Sequence, residues 1–183
     1  MEADLMLWIH GQATPALDAA FRFSWLLGVL PFCAPAVLLA IAWHLGRRQR
    51  REALAWALVG LGVAVLPELV KAAVARPRPT LWPWLIPTTG TSFPSGHATA
   101  GAALYPLLGW LALRSRGRGA IGFGLGIATG IFVGVGRLYV GVHWPSDVLA
   151  GWVLGIALSL GAVRWLGGPR DRRGRLDRPS GLL

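Results

Sequence analysis

Three short polar blocks interrupt an otherwise apolar chain, and their residue types are those that can move a phosphoryl group. The first holds Lys71 and Arg78-Pro79, the second Pro94-Ser95-Gly96-His97, and the third Arg137, His143 and Asp147. Cations can neutralise phosphate oxygens. One histidine can attack phosphorus while another protonates a leaving oxygen, and a carboxylate can hold the attacking ring in its useful tautomer. Such a set needs no metal ion. Each block sits where a long apolar segment begins or ends. Ionisable side chains are expensive at such depths and usually mark a site.

Each block also has a plainer reading. Pro77 and Pro79 stop the helix that carries Glu68 and Lys71, so Arg78 leaves the helix end instead of continuing along its face. Lys71 can reach the surface on its long stem, and Glu68, three residues earlier, is placed to pair with it. Basic residues that merely flank a membrane segment would look the same. Ser95 suits an N-cap, Gly96 lets a ligand approach the backbone, and the free N–H groups of a helix start attract anions, with His97 at that mouth. A capped helix with an interfacial histidine is the bland alternative. Pro145 favours a helix start between His143 and Asp147, where Asp147 can either orient His143 or cap the helix. Arg137 offers a planar fork for two phosphate oxygens. The three blocks together are far more specific than any one.

The elements that must position them are membrane helices. The chain is 54% hydrophobic and only 14% charged, where a soluble domain carries about 25% charged residues. Five segments are apolar enough to cross a bilayer, roughly 22–45, 53–74, 97–113, 119–136 and 147–166. Pro31 and Pro35 are expected to kink the first, and the Gly and Ala of the third and fourth to allow close helix packing. Residues 5–17 read as a short interfacial helix, because Gly11, Gln12, Thr14 and Pro15 interrupt the run; a sixth crossing there is the less favoured alternative. The expected fold is therefore an all-α polytopic helix bundle. Residues 1–166 would form one membrane-embedded domain and 167–183 a basic, disordered tail.

Arginines set the expected orientation. Arg47, Arg48, Arg50 and Arg51 follow the first span, Arg114, Arg116 and Arg118 the third, and Arg164 with the tail arginines the fifth. Such clusters stay in the cytoplasm, which puts the C-terminus there and all three polar blocks on the extracytoplasmic side. The net charge of +10 is then explained by anionic lipid headgroups, and nucleic acid is not an expected partner. Cys33 is the single cysteine, so neither a disulfide framework nor a thiolate metal site is available. No cluster of His, Cys, Asp and Glu suggests a metal, and no glycine-rich loop suggests a nucleotide.

On these residues the chain resembles the type 2 phosphatidic acid phosphatase family of membrane lipid phosphate phosphatases. The pattern K-x6-R-P is met by Lys71, Arg78 and Pro79, and P-S-G-H by Pro94 to His97. S-R-x5-H-x3-D is met by Arg137, His143 and Asp147, with Gly136 in place of the serine. The resemblance implies His143 as nucleophile through a phosphohistidine, Asp147 as its orienter and His97 as proton donor to the leaving group. It further implies Lys71, Arg78, Ser95, Gly96 and Arg137 as the phosphate cradle, with no cofactor. The departure at Gly136 removes a hydroxyl from beside the phosphate. Related soluble haloperoxidases hold vanadate in similar residues, but five spans argue against that branch. A compact chain with these motifs looks like a bacterial undecaprenyl diphosphate phosphatase of the inner membrane. Phosphatidylglycerophosphate and phosphatidic acid are the rival substrates. A non-catalytic lipid transporter or scaffold is more distant, since transporters gather charge near the bilayer midplane.

Overall fold

A computed structural model describes residues 1–168 as seven α-helices and one 3-10 turn. They are α1 (Glu2–His10), α2 (Pro15–Leu26), α3 (Leu30–Gly46), α4 (Arg50–Val74), α5 (Gly96–Leu113), α6 (Gly119–Tyr139) and α7 (Pro145–Gly167), with the turn at Arg114–Arg116. The expected disordered tail lies outside the described residues, apart from Gly167 and Gly168.

The N-terminal third differs from the sequence expectation in a physically clear way. One interfacial helix over 5–17 becomes two helices, because Gly11 ends α1 while Thr14 and Pro15 start α2. Thr14 Oγ1 accepts from the Leu17 N–H at 3.3 Å and Pro15 needs no amide partner in the first turn. The first expected span, 22–45, is likewise α2 and α3 meeting at 50° across Leu27–Val29. The bend falls before Pro31, which sits in the first turn of α3, where proline is tolerated. Pro35 lies inside that helix without breaking it.

Three helices, α4, α6 and α7, are long and apolar enough to cross a membrane, and the α2–α3 pair counts as a fourth if taken as one bent crossing. At 18 residues α5 is the central helix, with Ala98, Ala100, Ala102, Ala103 and Leu107 all buried. Its neighbours α6 and α7 approach very closely through glycines. A Cβ on Gly109 would strike the Gly122 carbonyl, and one on Gly126 the Tyr105–Pro106 backbone. Gly151 and Gly155 of α7 press in the same way on the carbonyls of Ser95 and Thr99. Lipid gives little apolar drive for helix association, so close backbone contact must supply it. The perimeter is correspondingly oily: Leu38, Leu39, Leu61, Leu125, Leu149 and Val153 are all exposed.

The antiparallel order sends like chemistry to like ends. At one end the arginines meet tryptophans: Arg47 lies over Trp43, Arg51 over Trp165 and Arg114 over Trp110. Arg114 also pairs there with Glu52 at 2.5 Å. At the other end the C-termini of α4 and α6 face the N-termini of α5 and α7. The loop over 75–95 folds across that end, with Trp82 stacked on His10 at 4.2 Å between ring centroids. Helix α1 docks beside it, burying Met6 and packing Ile9 on Leu138, Val140 and Val148.

Candidate active site

At this second end, a cavity of about 420 Å³ is lined by Lys71, Arg78, Gly96, His97, Arg137 and His143, with Trp25, Val29, Pro87, Thr88, Thr89 and Val142. All three polar blocks contribute to it. Three cations and two imidazoles face this space, and among the described residues no carboxylate lines it.

His143 occupies the tight turn between α6 and α7 and is 3% exposed. Its Nε2 lies 3.1 Å from Arg78 Nη1, and its Nδ1 lies 3.5 Å from Asp147 Oδ2 and 3.4 Å from Ser92 Oγ. A guanidinium only donates, so Nε2 must be the acceptor in that contact. The ring proton is thereby assigned to Nδ1, towards Asp147, which leaves the Nε2 lone pair on the cavity side. Burial pushes the His143 pKa down from 6.5 to about 4, against the opposing pull of the Asp147 hydrogen bond. The neutral ring is the resting form.

Asp147 caps α7 and also stands beside His143, so its geometry fits both readings of the sequence. Its Oδ2 accepts the Trp144 N–H at 2.8 Å, a helix cap, and the same atom faces His143 and accepts from Ser92 Oγ. Oδ1 accepts from Arg76 Nη1 at 2.8 Å. Arg76 continues the chain outwards, holding Ser146 Oγ at 2.6 Å and Glu2 Oε2 at 2.7 Å, while Glu2 Oε1 caps α7 by accepting the Ser146 N–H at 2.9 Å. Ser92, Arg76 and Glu2 were not among the residues singled out from the sequence. Arg76 carried a faint signal, as the extra arginine of Arg76-Pro77-Arg78-Pro79; Glu2 and Ser92 carried none.

The remaining residues divide into those that face the cavity and those that support it. Helix α4 ends at Ala75, whose φ of 49° turns the chain, so the arginines leave the helix axis just before Pro77. Arg78 is then fixed by three carbonyls, Val142 at 2.8 Å, Gly90 at 3.0 Å and Thr89 at 3.1 Å. Lys71 pairs with Glu68 at 2.6 Å, as expected from their spacing, and its Nζ would be 3.9 Å from a Cβ on Gly96. His97 Nε2 and Arg137 Nε are buried with no hydrogen-bond partner among the described residues. Arg137 is 1% exposed, with Nη2 3.5 Å from Ser24 Oγ. Ser95 caps α5, its Oγ 3.4 Å from the Ala98 N, and is fully buried. Its hydroxyl serves the helix start, and the second block faces the cavity through Gly96 and His97.

Beyond Val29 and His97 a second cavity of about 320 Å³ continues between α3 and α4, lined by Leu30, Cys33, Val63, Ala64 and Pro67, with the Glu68–Lys71 pair at its mouth. It is mostly apolar, whereas the first is cationic. The two cavities share Val29, Lys71, Gly96 and His97 in their walls.

Known proteins resemble this chain in sequence and in fold. The PAP2 superfamily model matches residues 53–170. A phosphatidylglycerophosphatase B of Bacillus subtilis is 30% identical over 171 residues, covering 82% of this chain and 83% of its own. The undecaprenyl-diphosphatase BcrC of the same organism is 28% identical over 166 residues, covering 87% and 81%. The crystal structure of a transmembrane PAP2-type phosphatidylglycerolphosphate phosphatase from Bacillus subtilis superposes with a TM-score of 0.84 at 23% identity. That match covers 94% of this chain and 87% of that one, a likeness of fold.

Proposed function

The chain belongs to the PAP2 superfamily and is a lipid phosphatase of the membrane, and on that premise we propose that it hydrolyses undecaprenyl diphosphate to the monophosphate without a metal ion. The observation that carries this reading is the cavity where Lys71, Arg78, Arg137, His97 and His143 meet with no carboxylate lining it among the described residues. A multiply charged phosphate is the ligand such a surface fits.

In the proposed mechanism His143 Nε2 attacks the terminal phosphorus, forming a P–N bond as the bond to the leaving oxygen breaks. His97 delivers the proton that oxygen needs. Water then hands a proton to His97 as its oxygen attacks the phosphohistidine; the P–N bond breaks, phosphate is released, and the electron pair returns to Nε2. Asp147 holds the Nδ1 proton throughout and balances the positive imidazolium. Lys71, Arg78 and Arg137 stabilise the equatorial oxygens, the Gly96 backbone offers room beside them, and Ser95 keeps the start of α5 in place. The apolar continuation between α3 and α4 supports a lipid tail on the substrate.

Orientation follows from counting α5 and the bent α2–α3 pair as crossings. Five crossings with the arginine–tryptophan end in the cytoplasm put the cavity on the extracytoplasmic face, where it would meet outer-leaflet lipid. Phosphatidylglycerophosphate is the second reading, favoured by the name of the relative at 30% identity.

The test is phosphate release by purified protein in EDTA, with His143→Ala beside it. Undecaprenyl diphosphate, phosphatidylglycerophosphate and phosphatidic acid would be presented at equal surface fraction. Release that survives EDTA, needs His143 and is fastest on the diphosphate is the expected result. Fastest release from phosphatidylglycerophosphate moves the substrate to the second reading, and loss in EDTA overturns the metal-free mechanism.

A further inference from the structure

The third motif lacks its serine, yet the place beside Arg137 holds one. A Cβ built on Gly136 of α6 lands well inside van der Waals contact of Ser24 Oγ, and it also crowds Ser24 Cβ and Phe21 Cδ1, both at 3.2 Å. Ser24 projects from α2, more than a hundred residues earlier in the chain. It is fully buried, donates to the Phe21 carbonyl at 2.7 Å and lies 3.5 Å from Arg137 Nη2. A buried hydroxyl on an apolar helix normally settles on its own backbone carbonyl, as this one does. Its oxygen keeps a lone pair free for a guanidinium, and contacts of this kind tighten when an anion draws the arginine into register.

We infer that Ser24 supplies from α2 the hydroxyl that the family pattern carries on α6, and that it positions Arg137 for phosphate. The inference rests on the reading of Arg137 as a phosphate ligand. Gly136 is then a requirement and no loss, since only a residue without a side chain leaves room for Ser24. It also makes the helix before the α2–α3 bend part of the site.

An exchange of places tests this. Ser24→Ala removes the hydroxyl and should lower kcat/KM about 10-fold, the scale of one hydrogen bond to a charged group. Gly136→Ser alone should drive two side chains into one space, lowering both the melting temperature and kcat/KM by more than Ser24→Ala does. The double variant Ser24→Gly with Gly136→Ser moves the hydroxyl onto α6 and should recover to within about threefold of the parent kcat/KM. A purely structural serine would not be rescued in rate by a hydroxyl arriving from another helix. Full activity in Ser24→Ala, or a double variant no better than Gly136→Ser, overturns the inference. A parent that releases phosphate from no lipid overturns the function reading instead. Binding of inorganic phosphate to the purified variants then decides the exchange: weaker binding in Ser24→Ala that recovers in the double supports it, and equal binding by all variants ends it.

Discussion

Arg76 Nη1 donates to Asp147 Oδ1 at 2.8 Å, joining the end of α4 to the start of α7 behind the candidate nucleophile. Through its other nitrogen Arg76 reaches Glu2, so His143, Asp147, Arg76 and Glu2 form one line from the cavity to the N-terminal helix. The buried carboxylate keeps a charged donor on each oxygen or a hydroxyl in its place, which is what an ionised group at 0% exposure demands.

Arg76→Gln is therefore expected to lower kcat about 10-fold with little change in KM, because Arg76 does not face the cavity but holds the carboxylate that does the orienting. Glu2 is more exposed, and Glu2→Gln should cost only about threefold. Steady-state kinetics on the preferred lipid separate the two constants. A rise in KM at constant kcat would place Arg76 among the substrate ligands instead.

The depressed pKa of His143 sets a pH expectation for rate and stability alike. Above about 4 the ring in the folded protein is neutral and able to attack, so the acid limb of kcat/KM should lie well below the 6.5 of a free histidine. Unfolded protein takes up this proton already near 6.5 while the folded site resists it. Stability should therefore fall as pH drops from about 6.5 towards 4 and be unaffected by this group above that window. A pH–rate profile and thermal melts in detergent read both. An acid limb at 6.5 would show that His143 is not the group being titrated.

How much of this was legible in the sequence depends on which forces placed each residue. Lys71, Arg78, His97, Arg137 and His143 were readable because polar residues stand out in an apolar chain and their spacing within each block is local. Their meeting in one cavity follows from antiparallel helices of similar length, which apolar run lengths already imply. Glu2, Ser92 and Ser24 were not readable, since only tertiary packing brings them to Arg76, Asp147 and Arg137 respectively. The bend at Leu27–Val29 was hidden as well. Hydropathy runs through it unbroken, and the visible prolines pointed to the wrong turn of α3.

Packing gives an expectation within a single helix. Gly126→Leu should destabilise by about 3 kcal/mol or more, because the Tyr105–Pro106 backbone of α5 stands where its side chain would go. At Gly124, two residues away, a Cβ meets nothing within 4 Å, so Gly124→Leu should be nearly neutral. Melting temperatures in one detergent compare them. Equal losses would mean that α5 and α6 do not press together as described.

Sidedness can be read with thiols. In a Cys33→Ser background, Thr89→Cys at the cavity rim should react with a membrane-impermeant reagent added to intact cells, while Arg116→Cys at the arginine–tryptophan end should react only after lysis. The reverse pattern would turn the molecule over.

The contact between Arg78 and His143 Nε2 has a consequence for selectivity in time. Arg78 is anchored by three carbonyls and also donates to His143 Nε2, the proposed nucleophile, so that lone pair is masked by a group that itself prefers an anion. On the proposed mechanism a phosphate entering the cavity would compete for that guanidinium and in doing so unmask His143 Nε2. Small neutral electrophiles offer Arg78 nothing and meet a blocked nitrogen. On that mechanism the substrate's own charge would arm the site.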